Sequence, residues 1–216
     1  MSSFIISSLR AAAIAAVVFG SSSLARAQIA FNVSVDTSAL SGSMASPLYL
    51  DFQLNDGAGW GDANNTAVIS NFKFGGGTAV APAVTSGGAT GTLGSWVTLT
   101  DSAAFNEFYQ GFSPGAWLTF TVSLTNRVDP GVTPDLFGFA ILDHTLSNLP
   151  TTALGTDLFL QVNIDRADPA IWTFGSADGL VPAPQVVPVP EPSTYGVLAG
   201  AGLLVACIYR RRATRQ

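Results

Sequence analysis

Acidic and amide side chains crowd one glycine-rich stretch of the sequence, where a hard cation could bind. Asp56 and Asp62 bracket the run Gly-Ala-Gly-Trp-Gly, and Asn64 and Asn65 follow shortly after. Calcium takes about six to eight oxygen ligands, which carboxylates, amides and exposed carbonyls in such loops supply. The residue order does not match an EF-hand, and turn formation by Asp explains the same pattern. Two hypotheses therefore stay open: calcium near Asp56 and Asp62, or no cofactor. Two later loops hold further acid pairs, Asp129 with Asp135 and Asp165 with Asp168.

The chain offers few residues for catalysis. His144 is its only histidine and Cys207 its only cysteine, which excludes zinc sites built on several histidines. Glu107, Asp143 and Asp165 could act as acid and base on a glycosidic bond, but their spacing does not bring two of them together. A serine nucleophile with His144 as base lacks the Gly-x-Ser-x-Gly turn. We assign no catalytic residue and predict that the protein is not an enzyme.

Aromatic side chains could stack on sugar rings if they were exposed. Trp60 lies in the glycine-rich stretch, while Trp117 and Tyr49 fall on the polar side of predicted strands. Large aromatic side chains are mostly buried in folded proteins, which favours a place in the core. Sugar binding by these residues is the alternative.

The distribution of charge excludes some partners. Charged residues make up 11% of the 216 residues, against about 25% in an average soluble domain. Between residues 28 and 190, thirteen acids face three bases, a formal charge of −10. Basic residues cluster only at the C-terminal end, so no nucleic-acid partner is expected.

The first 27 residues have the three parts of a secretory signal peptide. Arg10 gives a positive region, an apolar run follows, and Ala25 and Ala27 form a small-x-small cleavage site. We predict cleavage by signal peptidase before Gln28 and export of the remaining chain. The alternatives are an uncleaved N-terminal anchor and a buried alanine-rich helix.

The C-terminal end predicts a single transmembrane helix. Residues 194–209 carry no charge, and Arg210, Arg211 and Arg212 follow at once. A helix of that length reaches about 24 Å, slightly short of a bilayer core, and arginine side chains can snorkel across the difference. The positive-inside rule keeps these arginines in the cytoplasm, so that they stop transfer of the chain. The alternative is a core helix of a soluble domain.

The residues before this helix resemble a known sorting signal. Pro190, Glu191 and Pro192, then the apolar segment, then the arginine cluster follow the order of the PEP-CTERM sorting signal of Gram-negative bacteria. The resemblance implies processing near these three residues by an exosortase, an integral-membrane enzyme. It also implies an inner-membrane-anchored precursor that is released to the cell surface or extracellular matrix. Proteins with this signal are associated with exopolysaccharide and biofilm production.

Alternating prolines connect this signal to the rest of the chain. Proline fixes φ and removes a hydrogen-bond donor, so we predict an extended stalk over residues 181–193. A stalk that is never cut is the alternative to an exosortase substrate. The predicted organisation is thus a signal peptide (1–27), an exported domain (28–180), the stalk (181–193) and the sorting helix with its basic tail (194–216).

The exported domain shows repeated alternation of apolar and polar residues. This period predicts about nine or ten short strands, separated by clusters of Gly, Pro, Asn and Asp. One apolar face is predicted for each of three sets: Leu48, Leu50, Phe52 and Leu54; Val68, Ser70, Phe72 and Phe74; Leu118, Phe120, Val122 and Leu124. Residues 101–112 indicate a short helix or turn that leads into a strand. We predict an all-β fold, a two-sheet antiparallel β-sandwich.

The exported domain also resembles, in pieces, an uncharacterised family of PEP-CTERM proteins. The resemblance rests on Asp101-Ser102, residues 105–108, Pro114-Gly115, residues 134–137 and residues 142–143. That family has no agreed activity, so the resemblance implies architecture alone.

The sequence thus predicts a structural or adhesive protein of the cell surface or the extracellular polysaccharide matrix. Its partners would be the membrane through the C-terminal helix, signal peptidase, an exosortase and extracellular polysaccharide. The alternatives are a lectin-like module that binds carbohydrate or calcium, and a glycan-active enzyme.

Overall fold

The computed structural model describes residues 28–42, 46–57, 59–80, 82–127, 133–164 and 169–190. These residues form strands joined by turns and one short 3-10 segment, Ser38–Leu40. The strands are β1 (Gln28–Asp36), β2 (Leu48–Asn55), β3 (Thr66–Lys73), β4 (Thr78–Ala79), β5 (Val84–Ser86), β6 (Gly88–Gly91), β7 (Trp96–Thr100), β8 (Phe105–Ser113), β9 (Trp117–Thr125), β10 (Leu136–Leu142), β11 (Leu160–Asn163), β12 (Ile171–Thr173) and β13 (Gln185–Pro188).

The strands form two antiparallel sheets. The six-stranded sheet has the order β13-β1-β9-β3-β7-β6, and the seven-stranded sheet has the order β12-β11-β10-β2-β8-β4, with β5 also paired to β8. The inward side chains of both sheets belong to one large apolar cluster. The predicted all-β sandwich is therefore confirmed.

Phenylalanine dominates the space between the sheets. Eight phenylalanines are fully buried: Phe31, Phe52, Phe108, Phe112, Phe120, Phe137, Phe139 and Phe159. Phe52 lies at their centre, with ring centroids at 5.2 Å from Phe139 and 5.4 Å from Phe120. The alternation predicted around Leu48–Leu54 and Leu118–Leu124 is confirmed, since every apolar member of both sets is buried.

A β-bulge in β3 makes the prediction for the Val68 set wrong. Ala67 and Ile69 point into the core, and the register to β9 shifts between Ser70 and Lys73. Asn71 has a φ of 57° at this point. A bulge adds one unpaired residue, so the side chains beyond it change face. Phe72 and Phe74 therefore pack against the core, while Val68 and Ser70 lie on the opposite face.

The structure differs from the predicted stalk over its described part. Strand β13 pairs with β1, with Phe31 opposite Pro188 and Ser34 opposite Gln185. Val181, at the start of the predicted stalk, is fully buried. The prolines fit because β13 is an edge strand, where a missing N–H on the outer side breaks no ladder bond. Residues 181–188 are thus part of the sandwich, and residues 191–193 lie outside the described residues.

Candidate functional site

All four tryptophans of the chain are exposed. Trp60 is 83% exposed, Trp96 60%, Trp117 42% and Trp172 41%. The expectation that tryptophan fills the core is therefore wrong, because phenylalanine and leucine already fill the space between the sheets. Tryptophan is mostly buried in folded proteins, and exposed large aromatic side chains often mark contact surfaces. Tyr49, the other aromatic candidate, is half-buried and lies against Tyr109.

The outer side of the six-stranded sheet carries mostly small uncharged side chains. We call it the hydroxyl face, and it consists of Asn32, Ser34, Val68, Ser70, Thr98, Thr119, Thr121 and Ser123. Thr121 donates to Asn32 Oδ1 across β9 and β1 at 2.8 Å. The exposed charged residues Asp36 and Lys73 lie at its border, opposite Trp117 and Thr119.

Two of the exposed tryptophans flank the hydroxyl face. Trp96 pairs with Ser70, which pairs with Thr121, so these three residues form one row across β7, β3 and β9. Trp117 lies on β9 at the same side of the sheet as Thr121, and strand spacing puts it roughly 16 Å from Trp96. Flat aromatic rings with a nearby array of hydroxyl and amide groups match the apolar faces and hydroxyl groups of sugars.

The structure does not bring the candidate glycosidase residues together. Glu107 pairs through Gln53 with Gly138 on β10, whereas Asp143 follows the far end of that strand. Strand geometry separates Glu107 from Asp143 by roughly 19 Å, well beyond the spacing of about 5 to 10 Å that glycoside hydrolysis needs. Asp165 lies outside the described residues.

His144 lies in an exposed turn, as expected of a loop histidine. Asp143 Oδ1 accepts from the N–H of Thr145 at 2.7 Å and of Ser147 at 3.0 Å, which closes this turn. The hydrogen bonds from Thr145 and Ser147 hold the pKa of Asp143 below its usual value, and His144 adds a smaller effect in the same direction.

Asp51 and Glu107 lie close together on the outer side of the seven-stranded sheet. Asp51 is only 1% exposed, and its Oδ2 accepts from Gln53 Nε2 at 2.6 Å. Burial raises the pKa of Asp51 to about 7, Gln53 opposes the change, and the charge of Glu107 adds to it. Burial also raises the pKa of Glu107. Sequence reasoning grouped Glu107 with Asp143 and Asp165 rather than with Asp51, because Asp51 and Glu107 become neighbours only when β2 pairs with β8.

A second group of polar side chains closes one end of the sandwich. Asp56 follows β2, Asn65 precedes β3, Asp101 follows β7 and Asp135 precedes β10. We call these four buried residues the polar cluster. Because β3 and β7 belong to one sheet and β2 and β10 to the other, the polar cluster joins the two sheets.

Asn65 is the centre of the polar cluster. Its Nδ2 donates to Asp135 Oδ2 at 2.7 Å and to the Arg127 carbonyl at 3.0 Å. Its Oδ1 accepts from Arg127 N at 2.9 Å and from Thr125 Oγ1 at 3.1 Å. The Asn65 main-chain N–H donates to Asp101 Oδ2 at 3.0 Å. The side-chain amide therefore uses its full hydrogen-bonding capacity to hold both sheets in register.

Asp101 begins the stretch, residues 101–112, for which the sequence predicts a short helix or turn that leads into a strand. A turn at residues 102–104 leads from Asp101 into β8, so the predicted turn and strand are found and no helix forms there. Burial raises the pKa of Asp101 to about 7; the Asn65 N–H opposes this change, and the carboxyl groups of Asp135 and Asp62 add to it. Asp101 was not among the predicted ligand residues. The sequence signal that could have identified it is its position directly after a strand.

Asp56 and Asp62, the predicted calcium ligands, organise the loop between β2 and β3. Asp56 Oδ2 accepts from the N–H of Trp60 at 3.2 Å and from the N–H of Gly61. Asp62 accepts from the main-chain and side-chain N–H groups of Asn64 at 3.0 and 2.8 Å. These bonds are those of turn-forming Asp residues. Within the described ranges, no three His, Cys, Asp or Glu side chains are grouped to hold a metal, and calcium at Asp56 and Asp62 stays a prediction.

The predicted sorting and cleavage residues fall largely outside the described residues. Pro190 is described, whereas Glu191, Pro192 and Arg210–Arg212 are not, and neither are Ala25 and Ala27. Gln28 is the first residue of β1. Among the described residues, no helix has the length and hydropathy that spanning a bilayer requires. The predicted helix over 194–209 lies beyond that part and stays a prediction.

Comparison with known proteins identifies the C-terminal segment. The family model of the PEP-CTERM protein-sorting motif matches residues 188–213. No curated protein and no solved structure matches the chain. The predicted resemblance of the C-terminus is therefore confirmed, whereas the resemblance of the exported domain to an uncharacterised family stays a prediction.

Proposed function

From the PEP-CTERM protein-sorting motif, which marks an exported and exosortase-sorted protein, we propose a structural or adhesive role in the extracellular polysaccharide matrix. In this proposal the chain is a substrate of signal peptidase and of an exosortase. It is anchored in the inner membrane as a precursor and is then released to the surface or matrix. The protein contacts polysaccharide and performs no chemistry on it.

The exposure of all four tryptophans is the observation that supports a binding role. Eight fully buried phenylalanines already supply the aromatic side chains of the core, so packing of the core does not account for the four exposed tryptophans. Trp96 and Trp117 flank the hydroxyl face, whose side chains can donate and accept hydrogen bonds with sugar hydroxyls. We expect polysaccharide to bind there.

The charge of the domain favours an uncharged polysaccharide. Thirteen acids and three bases between residues 28 and 190 give a negative field that repels acidic polymers. The hydroxyl face itself consists of neutral side chains, with Asp36 and Lys73 at its border. A neutral glucan should therefore bind more tightly than an alginate.

The experiment compares binding of the full chain, purified in detergent, to a neutral β-glucan and to alginate. The double variant Trp96→Ala with Trp117→Ala should weaken glucan binding about tenfold or more, as expected for the loss of buried aromatic anchors. Trp60→Ala and Trp172→Ala are matched controls, because both side chains are exposed but Trp60 lies in the loop between β2 and β3 and Trp172 lies on the seven-stranded sheet. Each should bind like the wild type. Equal binding by the double variant, or no binding of any polysaccharide by the wild type, would overturn the proposal.

A further inference from the structure

One carboxylate oxygen of the polar cluster has no partner. Asp101 is fully buried, and its Oδ1 receives no hydrogen bond within the described residues, while its Oδ2 accepts from Asn65 N. Asn65 brings the Asp101 and Asp135 carboxyl groups together, since its main-chain N–H donates to Asp101 Oδ2 at 3.0 Å and its Nδ2 donates to Asp135 Oδ2 at 2.7 Å. Two acidic side chains thus face each other in a buried place.

No basic side chain balances this pair among the described residues. The acidic residues Asp135 and Asp62 raise the pKa of Asp101, and the hydrogen bond from the N–H of Asn65 lowers it. Arg127 offers its main-chain N–H and carbonyl to Asn65 rather than its side chain to Asp101. Burying a carboxylate without a counter-charge costs several kcal/mol, which is a large fraction of the free energy of unfolding of a small domain. Either a proton shared by the two carboxyl groups or a bound cation must therefore compensate this charge.

We propose that the polar cluster binds one calcium ion between Asp101 and Asp135. The groups at this place are oxygen donors, which suit a hard cation and do not suit zinc or copper. Asp101 Oδ1 is buried and accepts no hydrogen bond among the described residues. The Asp135 oxygens accept one hydrogen bond each, from Gly57 N at 2.8 Å and from Asn65 Nδ2 at 2.7 Å. Each keeps a lone pair for a cation.

This site differs from the calcium site predicted from the sequence. Asp62 is exposed and accepts from Asn64, whereas the buried Asp101 Oδ1 accepts no hydrogen bond among the described residues, so we assign the ion to Asp101 and Asp135. Main-chain carbonyl and water oxygens complete the coordination, because two carboxylates supply only part of the about six to eight ligands of calcium. The ion would hold β7 of one sheet to β10 of the other. The inference does not depend on polysaccharide binding.

Thermal unfolding of the full chain in detergent tests the site at pH 8. Calcium at a few millimolar should raise the melting temperature by about 3 to 6 °C relative to EDTA, given the affinity range of extracellular calcium sites. Asp101→Asn keeps the shape of the side chain and should abolish the calcium response. Asp143→Asn is the matched control, since Asp143 lies past the opposite end of β10, and it should respond like the wild type.

Three results would overturn the site. If calcium raises the melting temperature of Asp101→Asn and of the wild type equally, calcium binds elsewhere. If calcium has no effect on the wild type and Asp101→Asn melts higher than the wild type in EDTA, the pair shares one proton instead. If Asp101→Asn fails to fold, titration calorimetry of the wild type decides: one calcium per chain, not matched by magnesium, supports the site, and no heat of binding overturns it.

Discussion

Replacing Asp51 with Asn measures the effect of burying one carboxyl group on the seven-stranded sheet. Asp51 lies in β2 and is 1% exposed, and its Oδ1 has no partner among the described residues. Burial raises the pKa of Asp51 from 3.8 to about 7, against the opposing effect of Gln53 and with the help of Glu107. The folded state therefore binds this proton more tightly than the unfolded chain does.

The sign and size of the effect follow from this difference in pKa. Stability from the protonated Asp51 is fully present below the unfolded pKa of 3.8 and is lost as pH rises through the folded pKa of about 7. A rise of about three units corresponds to about 4 kcal/mol at about 1.4 kcal/mol per unit. Of this, about 3 kcal/mol falls between pH 5 and pH 8. Asn has the same shape and does not ionise, so it should escape this loss.

Urea unfolding of the wild type and of Asp51→Asn at pH 5 and pH 8 tests the reasoning. The unfolding free energy of Asp51→Asn, relative to the wild type, should increase by about 2 to 3 kcal/mol between the two pH values. Asp143→Asn is the control, because Asp143 is in an exposed turn where hydrogen bonds lower its pKa, and it should show no such gain. If Asp51→Asn and the wild type lose stability in parallel, Asp51 ionises normally and the burial argument is wrong.

Two further predictions concern the bulge and the edge strand. Because Asn71 has a φ of 57°, Asn71→Val should lower the unfolding free energy by about 1 to 2 kcal/mol and Asn71→Gly should change it little; equal losses in urea unfolding would contradict this. Because β13 pairs with β1 through Pro188, intact-mass analysis of the exported protein should find a C-terminus beyond Pro188 and before Arg210. A mass that includes Arg212 would refute processing, and one that ends before Gln185 would refute the role of β13.

The strands with regular alternation are predictable because their burial depends on local order alone. Leu118 to Leu124 on β9 and Leu48 to Leu54 on β2 each put every second side chain into the core. Side-chain direction alternates along any strand, so four apolar residues at this spacing determine the buried face. Neither the partner strand nor the sheet is needed for that inference.

The bulge and the tryptophans show where local order is insufficient. Asn71 shifts the face of Phe72 and Phe74, and a single Asn between apolar residues gives no signal that distinguishes a bulge from a regular strand. For Trp117, the alternation against Leu118 places it on the polar side, whereas the average burial of tryptophan argues for the core. The structure follows the alternation.

The polar cluster could not be assembled from the sequence because its members come from four separate strand ends. Asp56 and Asn65 flank one loop, but Asp101 and Asp135 join them only through the order of strands in two sheets. Composition shows that acids outnumber bases, not which acids meet. The same limit applies to Asp51 and Glu107, which approach each other through the pairing of β2 with β8.

The topology also places the polar cluster at the end of the domain from which the sorting segment leaves. Val189 N donates to the Ala30 carbonyl at 2.8 Å, so the chain reaches Pro190 beside the start of β1. Gln28 in turn pairs with Thr125 at the end of β9, and Thr125 donates to Asn65. Trp117 begins β9 at the opposite end of that strand, and the rise per residue puts it about 26 Å from Thr125. Calcium would thus stabilise the end next to the sorting segment, whereas polysaccharide would bind toward the distal end. Loss of one interaction should leave the other intact.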